Sequence, residues 1–103
     1  MARRSRDWNR GLAEDLRDPR FAREFLLAAI DDGLSVQRAL GKVVRAMWVK
    51  EFSGKVRMAG PNVLRAIDAR HNPTQETLNR MLRPFRLRLS LAPIDNRGTR
   101  DAA

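Results

Sequence analysis

Two sets of residues in this 103-residue chain could do chemistry, and they point in different directions. The first is a candidate catalytic set. His71 is the only histidine and there is no cysteine. One imidazole without a thiol, and with no hydroxyl at a suggestive spacing, gives no nucleophile–base pair. No glycine-rich phosphate loop is present. Asp31-Asp32 ahead of Gly33 reads as a solvated helix end rather than a metal site. The chain is therefore expected not to be an enzyme and to need no metal or cofactor.

The second set is made of amides and cations. Asn62 can match the edge of adenine and Arg65 that of guanine, both in bidentate fashion. Gly60, Pro61 and Leu64 share the face that would approach the bases. Lys50, Lys55, Arg57 and Arg70 suit the phosphates, which position a protein on a duplex without reading sequence.

The charge distribution favours this second set. Residues 35–91 hold twelve Lys or Arg and three acids, a net +9, which equals the net charge of the whole chain. Residues 18–34 hold two Arg and four acids, a net −2. A basic second half fits a polyanionic partner, most often nucleic acid. Trp8 and Trp48 are the only tryptophans and tyrosine is absent, so a platform of stacked aromatics for RNA is poorly supported. Trp48 is expected to pack between core helices.

The elements that must position these groups are helical. Residues 49–67 fit a helix-turn-helix, in which two short helices cross and touch at few points. Ser53 is the small residue at the crossing, flanked by Phe52 and Val56. Met58 fills the gap after the turn, and Val63 and Ala66 anchor the second helix. The same spacing occurs in a plain helical hairpin, and that alternative stays open on spacing alone. Around this unit, 11–17 is a candidate short helix. Asp18-Pro19 starts the next, as N-cap and first helical residue, and Gly33 stops it. Ser35 caps a helix with Val36, Leu40, Val43, Val44 and Met47 on one face. Thr74 caps a last helix that Pro84 ends. The expected fold is all-α, a five- or six-helix bundle.

Residues 86–91 alternate polar and apolar, which predicts one short C-terminal β-strand carrying Leu87, Leu89 and Leu91. A lone strand needs partners for its backbone groups. The preferred partner is its own copy in a homodimer. The alternatives are another protein's sheet edge, or packing unpaired on the helices. Residues 1–8 read as a flexible basic arm, 9–91 as the folded domain and 92–103 as a disordered tail. No apolar run approaches the ~18 residues of a membrane helix. No secretory pattern follows the basic start. Together with the absence of cysteine, these features lead us to expect a cytoplasmic protein.

The ordered set Asp18-Pro19-Arg20-Phe21-Ala22, Ala29-Ile30-Asp31-Asp32-Gly33, the helix-turn-helix, Asn72-Pro73-Thr74 with Thr77-Leu78, and Leu87-Arg88-Leu89-Ser90 resembles the addiction module antidote proteins. These are HigA-like, Xre-type helix-turn-helix antitoxins. The resemblance covers about residues 7–94. It implies operator DNA and a RelE/ParE-type toxin as partners, with repression of the shared operon. Such toxins are basic, so the acidic Glu24, Asp31 and Asp32 become candidate toxin-facing residues. Alternatives are a stand-alone phage or operon repressor, and a toxin inhibitor with weak DNA binding. The chain departs from the pattern at three places. Arg57 and Arg86 stand where such proteins commonly have glycine, and Ala59 stands where Ser or Thr usually caps the second helix.

Overall fold

The computed structural model describes residues 15–94. The expected basic arm and most of the candidate helix at 11–17 lie outside the described residues, as do residues 95–103 of the expected tail. Among the described residues the fold is all-α, with five helices and a terminal 3-10 turn.

Helix α1 spans Pro19–Asp31. The Asp18 carboxylate accepts the Arg20 N–H at 3.0 Å, and Pro19 opens the helix. At its end Gly33 takes φ +104°, a conformation costly for any side chain. This lets the Leu34 N–H return to the Ala29 carbonyl, satisfying an orphan acceptor. Helix α2, Val36–Met47, starts on the Ser35 hydroxyl, which accepts from the Arg38 N–H at 3.1 Å. Helices α3, Val49–Val56, and α4, Gly60–Ile67, follow in close succession. Helix α5, Gln75–Leu82, begins on the Thr74 hydroxyl, and a 3-10 turn at Arg83–Phe85 closes the bundle.

Every helix contributes to one core. Ala22 and Leu26 of α1, Leu40, Val43, Val44 and Met47 of α2, Phe52 of α3, Val63 of α4 and Met81 of α5 are all buried. The Phe52 and Phe85 rings stack with centroids 6.3 Å apart, tying the terminal turn to α3. Burial of each large side chain stabilises by about 1.5–3 kcal/mol. This core is the rigid body on which α4 is displayed.

Two expectations are corrected. Trp48 does not pack between helices; it is 64% exposed with φ +79° and ψ 136°. It is the only residue between α2 and α3, so the whole change of direction falls on its backbone. Met47 and Phe52 on either side are buried, which leaves the indole facing outward.

The second correction concerns residues 86–91. No strand forms among the described residues. Arg86 takes a left-handed conformation, φ +59°, and the Leu87 N–H returns to the Leu82 carbonyl at 3.3 Å. The chain then lies against the bundle. Leu87 and Leu89 are half-buried on the core, and the Leu89 N–H donates to Asn79 Oδ1 at 2.6 Å. A side-chain amide thus replaces the ladder bond of a sheet. Leu91 runs past the core and is 98% exposed.

Candidate nucleic-acid interface

The α3–turn–α4 unit is held at four points. The first is the helix contact itself. A Cβ placed on Gly60 would lie 3.6 Å from Val49 Cγ1 and 3.8 Å from Ser53 Oγ, so the two helices meet across small groups. Ser53 Oγ is buried with no hydrogen-bond partner. The second is the turn. Arg57 is left-handed at φ +57°, ψ 48°, and the Met58 N–H returns to the Ser53 carbonyl at 3.2 Å. Met58 then packs on the core as expected. The third is the anchoring of α4 by buried Val63 and Ala66.

The fourth point is Gln37, which the sequence reading missed. Its side-chain Nε2 lies 2.9 Å from the Ala66 carbonyl, 2.8 Å from that of Asp68 and 2.9 Å from that of His71. A single amide on the first turn of α2 therefore supplies donors to the carbonyl end of α4 and the loop beyond it. Nothing in local periodicity marks a glutamine for a contact about thirty residues away.

At its other end α4 lacks a side-chain cap, as the Ala59 identity implies. Pro61, Asn62, Leu64 and Arg65 are exposed and Gly60 is half-exposed. With 100° per residue, Pro61 and Arg65 form the crest of the helix, Asn62 falls on one flank and Leu64 on the other. Asn62 and Arg65 border a depression shared with Arg57, His71, Thr74, Thr77 and Arg80. A second depression adjoins it through Arg57 and Arg80 and adds Lys55 and Arg83. No acidic residue lines either one. The result is a continuous basic bank beside the Asn62 flank. Arg80 and Arg83 were not singled out from sequence, although their spacing of three on an exposed helical surface was the available signal.

The remaining sequence-predicted residues fall elsewhere. Lys50 is exposed on α3 and borders neither depression. Arg70 is not a free cation. Its guanidinium makes two bonds to Asp68, 3.1 and 2.8 Å long, and its backbone N–H adds a third at 2.9 Å. These hydrogen bonds hold the Asp68 carboxyl well below the usual carboxylate range and raise the Arg70 guanidinium. Glu24 and Asp31, seven residues apart, share the outer face of α1, and Asp32 is exposed beyond its end. Glu24 lies 3.5 Å from the Arg23 guanidinium. Comparison with protein families, with curated proteins and with solved structures finds no match to this chain. No described helix is long and apolar enough to cross a membrane.

Proposed function

We propose that this chain is a DNA-binding antitoxin that represses its own operon, with α3–turn–α4 as a helix-turn-helix and α4 entering the major groove. One observation carries the DNA part. The exposed flank of α4 offers an amide and a guanidinium, Asn62 and Arg65, beside a bank of cations free of acids. A duplex needs this combination of base-edge donors flanked by phosphate ligands. The two left-handed arginines, Arg57 and Arg86, add support. They occupy the positions where the resembling antitoxins carry glycine, so the backbone keeps the turns while the side chains add charge.

The antitoxin part rests on the resemblance and on α1. Its outer face combines Glu24 and Asp31 with the exposed Leu27 and Ile30, interleaved with Arg20 and with Arg23 beside Glu24, and Asp31 is the acid it offers to a basic toxin. A homodimer would space two α4 helices about one DNA turn apart. The DNA reading is tested by titrating the chain with its own upstream DNA and with unrelated duplexes at several salt concentrations. Tighter binding to the upstream DNA, weakening steeply with salt, is expected. Equal affinity for all duplexes would overturn sequence-specific recognition.

A further inference from the structure

The opposite side of α4 carries a groove that the sequence reading did not identify. It runs between α2 and α4 and is lined by Arg38, Lys42 and Arg45 along one face of α2, with Leu64 and Ile67 on the α4 side. The three cations recur at i, i+4 and i+7, so they form a single ridge. All three are exposed, and none of them pairs with an acid in the described structure. Asp68 borders the groove, but its charge is matched by Arg70. Gly41 lies between the cations and lets α2 approach α4 closely. A Cβ there would lie 3.7 Å from Ile67 Cβ and 3.1 Å from Arg45 Nη1, so the Arg45 guanidinium rests over the groove floor.

We infer that this groove is a second phosphate-binding bank that holds the strand opposite the one bound beside Asn62. The inference rests on the reading of α4 as the helix in the major groove. An α-helix with its side chains is about 10–12 Å across, and the major groove is about 12 Å wide with one sugar–phosphate strand on each wall. Two cationic banks separated by the width of α4 therefore match two strands separated by the width of the groove. The Asn62 flank faces the first bank and the Leu64 flank faces the second. Leu64 is then placed for apolar contact with a thymine methyl near the second strand.

The test compares the wild-type chain with an Arg38→Gln/Lys42→Gln/Arg45→Gln variant, on the upstream duplex and on an unrelated one. Each phosphate contact contributes about 0.9 to the salt slope. Per bound protomer, loss of three should make the variant's affinity fall about 40-fold less than wild type between 50 and 200 mM salt. The ratio of specific to unrelated binding should stay unchanged. Within each half-site, phosphate-ethylation interference should vanish on one strand only, whereas a Lys55→Gln/Arg80→Gln variant should lose it on the other. A triple variant with wild-type slope and interference on both strands of each half-site overturns the second bank while leaving the DNA reading standing. A wild-type chain with no preference for its upstream duplex defeats the DNA reading itself, and the second bank with it. If the triple variant does not fold, Lys42→Gln alone should lower the slope by about one, and no change would overturn the proposal.

Discussion

The Arg57→Gly substitution separates two roles that this position combines. The backbone there is left-handed, φ +57° and ψ 48°, and the side chain is exposed. A non-glycine residue in that region costs roughly 1–2 kcal/mol, of which glycine's greater freedom in the unfolded chain returns part. The net expectation is a gain of about 1 kcal/mol. For a domain of this size that corresponds to a rise of roughly 4–8 °C in Tm. Losing the guanidinium should at the same time weaken all duplexes alike and lower the salt slope by about one. Urea unfolding and a salt-dependent binding titration on the same protein read both effects. Arg57→Asn, which also tolerates the left-handed region, should fall between wild type and glycine in stability while losing the same phosphate contact. An Arg57→Gly protein that is less stable than wild type would refute the strain argument. One with an unchanged slope would remove Arg57 from the phosphate bank.

Three further outcomes are expected. Gln37→Leu should destabilise by about 1–3 kcal/mol in urea unfolding, because the Ala66, Asp68 and His71 carbonyls lose the two amide hydrogens they share. Asn79→Leu removes the acceptor of the Leu89 N–H, so amide exchange at Leu89 should accelerate while exchange in α2 stays the same. Asp68 has a lowered pKa in the folded chain, so its contribution is present above the unfolded value of about 3.9 and is lost as pH falls below it. Asp68→Asn should flatten that acid limb by lowering stability at neutral pH, modestly because Arg70 is solvent-exposed, while stability at the acid end stays the same.

The helical frame was legible in the sequence because its signals are local. Asp18-Pro19, Gly33, Ser35 and Thr74 mark helix ends through their own backbone chemistry, and each of them does so in the structure. The buried stripe of α2 and the small-residue contact at Ser53 follow from periodicity in the same way. What escaped depends on tertiary placement. Alternation at 86–91 predicts a strand because one side of the segment meets apolar surface, and the bundle supplies that surface without a neighbouring strand. Trp48 reads as core by residue type, but a one-residue link between two helices can send only its neighbours inward. The pairing of Arg70 with Asp68, the reach of Gln37 and the ridge Arg38–Lys42–Arg45 facing α4 all depend on how the helices dock. Asn62 and Arg65 of α4 are readable from the sequence alone, and the banks beside them only once the chain is folded.

On the reading proposed above, α4 recognises bases through Asn62 and Arg65. This is tested most directly by selecting preferred duplexes from a randomised pool with wild type, Asn62→Ala and Arg65→Ala. Each variant should lose the preference at one position, adenine for Asn62 and guanine for Arg65. Each should also cost about 1–3 kcal/mol on the selected site. The same base preferences in all three proteins would contradict it.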